Sequence, residues 1–241
     1  MFLQSILIIG ASSAIAKALA NQLQQQPHTQ LILVSRTEQI LPFDNVLQTT
    51  VMDYTQSSIE NAVDTIQEAI EAPLSSVYIC NGLLHNNTIT PEKRLEDISL
   101  SSLQDVMLTN AFTPMLWIQK LTPLITHKAP CKLVVFSARV GSISDNRLGG
   151  WYSYRASKAA LNMLLKNVSI EFKRRAKNVK VISFHPGTTD SQLSKPFQKN
   201  VPASKLFTAD FVAQKLLDIV DKAEVDGEAS FIDWQGNKVE W

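Results

Sequence analysis

Tyr154 and Lys158 stand four residues apart in the run Gly149-Gly-Trp-Tyr-Ser-Tyr154-Arg-Ala-Ser-Lys158-Ala-Ala-Leu. On a helix that spacing puts the phenol and the ammonium on one face, a turn apart. A cation beside a phenol stabilises the phenolate and brings its pKa down from about 10 toward the working range, as an acid/base tyrosine needs. Tyr152 has Ala156 at the corresponding place, so only Tyr154 has the partner. Taken alone the pair is a common pattern, met equally by an amphipathic helix with a half-buried tyrosine. Its meaning depends on what surrounds it.

A second cluster follows the apolar run Ile6–Ile9, which leads into Gly10-Ala-Ser12-Ser13-Ala14-Ile15-Ala16 and a helical pattern. A strand, a tight turn and a helix N-terminus offer free backbone amides and the positive end of a dipole, a receptacle for a pyrophosphate. Gly10, Ser12, Ser13, Ala14 and Ile15 would form that cradle. Only the first glycine of the dinucleotide fingerprint is present; at Ala14 and Ala16 a methyl is expected to crowd the phosphate or the helix–strand contact. The segment also reads as an ordinary βα turn. Alternatively it is a nucleophile elbow with Ser12 as nucleophile and His185 downstream, although no sheet would yet stand before it. The next apolar run ends Leu33-Val34-Ser35-Arg36. An acid here would bond a ribose 2′-hydroxyl, whereas serine and arginine suit a 2′-phosphate, favouring NADP(H) over NAD(H). Asp53, after the third run, either accepts from an adenine amino group or caps the following helix.

The scaffold that must hold these groups alternates short β-rich runs with longer helical patterns. The runs are Leu3–Ile9, Leu31–Val34, Val46–Val51, Val77–Cys80, Lys132–Phe136, Val179–Phe184 and Ser230–Asp233; helical periodicity covers Ala14–Gln25, Ile59–Ile70, Leu100–Ile125, Tyr154–Arg175 and Ala209–Val220. Uninterrupted runs such as ILII and LVVF fit strands buried on both faces. The alternation predicts an α/β fold, a doubly wound parallel sheet of about seven strands with helices on both faces, in one domain over residues 1–241. Pro114 and Pro123 should kink or divide the Leu100–Ile125 helix. Leu83–Ser99 and Gly187–Phe207 are long and irregular, as segments serving a site are.

Composition narrows the function classes. The 241 residues are 45% hydrophobic, too apolar for a disordered chain, and 23 basic against 22 acidic residues give no support to a nucleic-acid or membrane-surface footprint. No stretch approaches the roughly 18 apolar residues of a membrane span. The N-terminus lacks the basic flank of a signal peptide. Cys80 and Cys131 form neither a disulfide framework nor a metal pattern, and two reduced thiols point to a cytoplasmic protein. The histidines at 28, 85, 127 and 185 show no ligand spacing, so no metal is expected. Lys173, Arg174, Arg175 and Lys177 read as a solvated helix C-terminus.

In order along the chain, GASSAIA, Cys80-Asn81-Gly82, Asn110 in LTNAF, SARVGS, YRASK and HPGTT make this sequence resemble the short-chain dehydrogenase/reductase family in its classical form. The likeness extends over essentially the whole length and leans to the carbonyl-reductase-like branch of C-factor and sniffer proteins. It implies a Rossmann-like fold and an NADP(H)-dependent oxidoreductase moving hydride between the nicotinamide and a small-molecule carbonyl or alcohol. Tyr154 would protonate the carbonyl oxygen, or take the alcohol proton in reverse. Lys158 would lower the tyrosine pKa and hold the nicotinamide ribose, and Asn110 would hold a water linking Lys158 to solvent. Asn81 and Gly82 would close over the cofactor; Pro186, Gly187, Thr188 and Thr189 would meet the nicotinamide carboxamide. The helices carrying Asn110 and Tyr154 usually pair across a two-fold axis in this family, implying a homodimer or homotetramer.

The match departs at the substrate-orienting serine. The family usually has two serines at the end of the fifth strand, the second about 13 residues before the tyrosine; here the pair reads Ser137-Ala138. A hydroxyl near the carbonyl oxygen contributes one hydrogen bond to the transition state, and Ser142 or Ser137 would have to supply it. Spacing favours Ser142. The substrate pocket is expected from Leu83–Ser99, Ser142–Trp151 and a loop of about 187–207, with Leu83, Leu84, Trp151, Leu193, Phe197 and Phe207 as apolar walls and Trp241 folding over it. The alternative is a nucleotide-binding regulatory or signalling protein with little catalysis. The missing glycines and serine speak for it; Tyr154, Lys158 and Asn110 speak against it.

Overall fold

Among the described residues of the computed structural model the strands are β1 (Gln4–Ile9), β2 (Thr29–Ser35), β3 (Val46–Thr50), β4 (Leu74–Ile79), β5 (Cys131–Phe136), β6 (Val179–His185), β7 (Thr188–Thr189), β8 (Leu206–Phe207) and β9 (Ser230–Asp233). Residues 2–37 and 46–241 are described. Seven strands form one parallel sheet in the order β3-β2-β1-β4-β5-β6-β9, and β7 pairs with β8 separately. Alternate side chains point to opposite faces, and both faces are apolar, which is why the strand runs are uninterrupted. Leu7, Ile9, Ile32, Val34, Leu133 and Val135 face one helical layer. Ile6, Ile8, Leu31, Leu33, Val134 and Phe136 face the other.

The helices are α1 (Ala14–Leu23), α2 (Gln56–Ala69), α3 (Leu100–Met107), α4 (Thr113–Ile125), α5 (Tyr152–Arg175) and α6 (Ala209–Lys222). Trp117, Leu121, Leu161 and Leu165 bring α4 and α5 onto the first face; Leu19, Val212 and Leu216 bring α1 and α6 onto the second. Ser13, Thr55, Ser99 and Thr208 cap α1, α2, α3 and α6, each hydroxyl accepting an amide of the first turn. The helix expected over Leu100–Ile125 divides at a π-helical turn, Leu108–Phe112. Pro114 falls in the first turn of α4, directly after that π-helical turn, while Pro123 stays inside the helix. Among the described residues no helix is long and apolar enough to cross a membrane.

The chain runs outward from β1 to β3 and returns to β4 on the other side of β1. Connections above this reversal diverge, leaving a crevice at the carboxyl ends of β1 and β4.

Candidate active site

That crevice is a cleft of about 730 Å³, lined at one end by Ser12, Ser13, Ala14, Ile15 and Arg36, in the middle by Asn81 and Gly82, and at the other end by Ser137, Tyr154, Lys158 and Pro186. Gly10 lines a smaller adjoining recess with Ser12, Arg36, Tyr54 and Asn81. Gly10 has φ +79°, and a Cβ there would lie 3.2–3.4 Å from the backbone of Cys80 and Asn81. The turn therefore requires glycine on both counts. Ser13 Oγ accepts from Ala16 N at 3.3 Å, while Ala14 and Ile15 bring the open first turn of α1 to the cleft. Ala16 is wholly buried in the apolar layer with Ile8 and Leu19. Its methyl fills the core rather than crowding the turn.

Arg36 lies over the ring of Tyr54, 5.5 Å from its centroid, and Tyr54 Oη accepts from Asn81 Nδ2 at 3.0 Å. Asn81 Oδ1 is buried with no partner among the described residues. Tyr54, and not its neighbour Asp53, is the cleft residue of this strand end. Asp53 is exposed and does not line the cleft. Its carboxylate accepts from Thr55 N at 3.0 Å and Thr55 Oγ1 at 2.6 Å and so braces Thr55, the residue that caps α2. Bonding from Ser58 and Thr55 holds that carboxyl below its usual pKa.

Tyr154 and Lys158 project from the first turns of α5, both buried. Lys158 Nζ donates to the Phe136 carbonyl at 2.8 Å and lies 5.9 Å from the Tyr154 ring centroid. Gly141 lets the turn after β5 approach this helix: a Cβ there would be 2.7 Å from Lys158 Cβ. Burial pushes the Lys158 amine down to about 7 and the Tyr154 phenol up to about 12. The lowered phenol anticipated from spacing is thus reversed by burial, because each charged form loses its water. The Asn110 side chain, wholly buried in the π-helical turn, accepts from Leu83 N at 2.7 Å and donates to Leu83 O at 2.8 Å and Ser157 Oγ at 3.0 Å. It is committed to the protein, clasping the loop after β4 to α5.

Ser137, next to the end of β5, reaches the cleft beside Tyr154 and donates to Asn162 Oδ1 at 2.8 Å; Ser183 donates to the same oxygen. Ser142, favoured by spacing, is buried off the cleft and accepts from Asp145 N at 3.2 Å. The chain turns through Arg139–Gly141 before Ser142, so that hydroxyl stabilises the next bend. No shift of the strand end is needed to bring Ser137 to the cleft. Gly187, Thr188 and Thr189 lie behind Pro186, with Thr189 Oγ1 buried and unpartnered among the described residues.

Leu83, His85, Thr109, Gln192 and Leu193 complete the open end, and Trp151 packs on Phe197 with ring centroids 5.0 Å apart. Trp151 and Phe197, expected as walls, pack with Leu193 against the cluster around Tyr154 without lining the cleft, and Phe207 and Trp241 are elsewhere. Pairing of β8 with β7 carries Phe207 onto Trp234, at 4.3 Å. The C-terminal tail pairs back along β9 through Val239 N to Phe231 O, which seats Trp241 on Phe231 at 5.4 Å.

A doubly wound parallel sheet whose switch-point cleft holds a Tyr–Lys pair defines a nucleotide-binding oxidoreductase scaffold. The chain belongs to the short chain dehydrogenase family, whose profile matches residues 4–202. It is 26% identical over 236 residues to benzil reductase ((S)-benzoin forming) of Bacillus subtilis (strain 168), covering 92% of this chain and 95% of that protein. To the C-signal of Myxococcus xanthus it is 28% identical over 147 residues, covering 61% of this chain and 83% of that protein. The solved structure of the carbonyl reductase Sniffer of D. melanogaster superposes with a TM-score of 0.84 at 19% identity, covering 99% of this chain and 100% of the other. The protein is therefore an oxidoreductase of a family whose fold binds a nicotinamide cofactor.

Proposed function

We propose that the protein reduces aldehydes or ketones with NADPH, and oxidises the corresponding alcohols in reverse, with Tyr154 as the proton donor. The observation that carries this reading is one cleft with two chemically different ends: the Gly10–Ile15 turn and Arg36 at one, Tyr154, Lys158 and Ser137 at the other. The residues fit a phosphorylated dinucleotide. The N-terminus of α1 offers amides to a pyrophosphate, the Arg36 guanidinium suits a 2′-phosphate, and the orphaned Asn81 Oδ1 awaits a donor. Pro186, Gly187, Thr188 and Thr189 would border the nicotinamide end. When bound, the reduced nicotinamide supplies hydride to the carbonyl carbon.

Burial keeps the Tyr154 phenol protonated, so it has a proton to give to the carbonyl oxygen. Lys158, with a pKa near 7, is charged in part of the population, and its ammonium stabilises the phenolate that proton transfer leaves. Ser137 would orient the oxygen by turning its hydroxyl from Asn162. The segment of about 187–207, with Leu193 on the cleft and Trp151 and Phe197 packed with it, would hold the rest of the substrate. Exposed Leu108, Phe112, Met163 and Ile170 support a homodimer or homotetramer, and the free thiols of Cys80 and Cys131 suit a cytoplasmic setting.

NADPH consumption against a panel of aldehydes, quinones and α-diketones tests the reading. Tyr154→Phe should lower kcat by about 10²–10⁴-fold while NADPH still binds. Arg36→Asp should shift preference toward NADH. Binding of NADPH without turnover of any panel member would favour the regulatory alternative, to which the alanine at 138 lends weight.

A further inference from the structure

We propose that Glu92, in the loop between β4 and α3, is a positioning residue for Tyr154, supplying from a distant part of the chain the N-terminal cap that α5 lacks. The inference rests on the reading of Tyr154 as proton donor. Four of the described helices begin on a serine or threonine that accepts a first-turn amide. The helix carrying the Tyr–Lys pair does not. It starts after Trp151, a non-glycine residue at φ +52°, ψ +45°, whose side chain caps nothing. Such a conformation persists only where the surroundings hold it.

What holds it is Glu92, a carboxylate 3% exposed. Its Oε2 accepts from Ser153 N at 3.2 Å, its Oε1 accepts from Ser153 Oγ, and its backbone carbonyl accepts from Trp151 N. A carboxylate satisfies both kinds of donor at once and faces the positive end of the helix dipole, so a charge that burial would otherwise penalise is favourable here. The loop is itself braced: Asp97 Oδ2 accepts from Lys93 N at 3.1 Å and Arg94 N at 3.0 Å. On the other side Arg155 Nε donates to the Gly149 and Gly150 carbonyls at 3.2 and 3.0 Å. The start of α5 is thus clasped from both flanks. Ser153 immediately precedes Tyr154, and the Trp151 ring stands edge-on to the Tyr154 ring at 6.2 Å. Fixing residues 151–153 therefore fixes the direction of the phenol and the ring packed against it. Glu92 touches neither substrate nor cofactor in this scheme; it acts through the backbone.

The test compares Glu92→Ala, Glu92→Gln and Ser153→Ala with the wild type in three measurements: kcat on a reducible diketone, NADPH affinity, and amide hydrogen exchange along α5. Glu92→Ala should lower kcat by about 100-fold with NADPH affinity within about threefold, since a small misplacement of a reacting group is enough for such a loss. Its exchange should accelerate at residues 153–155 and stay unchanged over 161–172. Glu92→Gln, which keeps an acceptor for Ser153, should recover most of the turnover; Ser153→Ala should lose only a few-fold. Unchanged exchange at 153–155 in Glu92→Ala would overturn the proposal. So would a joint collapse of turnover, NADPH affinity and protection along all of α5, because Glu92 would then merely support the fold. Should Glu92→Ala not fold, the other two variants carry the same readouts. A wild type that binds NADPH but turns over nothing would remove the carbonyl-reductase reading, and the exchange data would still decide whether Glu92 caps the helix.

Discussion

The first βα turn carries alanines at 14 and 16 where the dinucleotide fingerprint has glycines, and the segment from β5 to α5 carries an alanine at 138 where the family usually has a serine. At 14 and 16 the backbone is α-helical, so a Cβ meets no conformational objection, and the Ala16 methyl packs into the core. The turn keeps its shape because the one position with a left-handed φ, Gly10, is unchanged. Ala138 is different. It packs near Tyr154 without disturbing the backbone, but it brings no hydroxyl to that end of the cleft. A glycine chosen for conformation is replaceable wherever the local φ is helical; a group chosen for chemistry must be supplied again from another position.

The strongest challenge to this contrast is Gly10→Ala. A non-glycine residue held in the left-handed region costs about 1–3 kcal/mol, and the added methyl would press on the Cys80–Asn81 backbone at 3.2–3.4 Å. NADPH affinity should fall about tenfold or more, with a lowered Tm. Ala14→Gly should leave affinity within a few-fold and cost roughly 1 kcal/mol of helix stability. NADPH titration and thermal melts of the two variants decide it. Equal affinity losses at both positions would mean that backbone conformation is not what separates them.

At the other end, Ser137→Ala should lower kcat about tenfold, the value of one hydrogen bond to a group gaining charge. Ser142→Ala should leave it unchanged, since that hydroxyl is spent on Asp145 N. Steady-state kinetics with one ketone suffices. A loss at Ser142 and none at Ser137 would reverse the placement and return the choice to spacing.

What the sequence made legible, and what it did not, follows the same division. The strand runs were visible because burial on both faces leaves no polar interruption, and Tyr154 with Lys158 was visible because helical spacing alone brings them together. Ser137 was not separable from Ser142, since the turn at Arg139–Gly141, not residue count, decides which hydroxyl meets the cleft. Tyr54 was hidden beside a more chemical-looking aspartate. Glu92 sits among Lys93, Arg94, Glu96 and Asp97 and looks solvated until the fold buries it. Phe207 and Trp241 were drawn away by pairings of β8 and the tail that no local pattern announces. The reversal at Tyr154 has the same origin: spacing identifies a charged neighbour, but burial is a property of the assembled layers.

Burial at the reacting end also sets the smallest expected effect. The Lys158 amine titrates near 7 in the fold, against 10.5 for an unperturbed lysine. Between those values the unfolded chain binds a proton that the folded chain does not, so this residue makes stability rise with pH across the window, and its full cost is present below about 7. Lys158→Met replaces the amine with an apolar chain of similar reach. It should melt a few degrees above the wild type near pH 7, on the scale of about 2–4 °C per kcal/mol for a chain of this size, and the gap should shrink toward pH 10. Melting curves across that range read it directly. A gap independent of pH would trace the difference to packing rather than to the buried ammonium. A gap that closes as described would show the Tyr154–Lys158 end of the cleft holding a charge at the expense of stability, whereas the first βα turn offers only backbone amides and has no buried amine to desolvate.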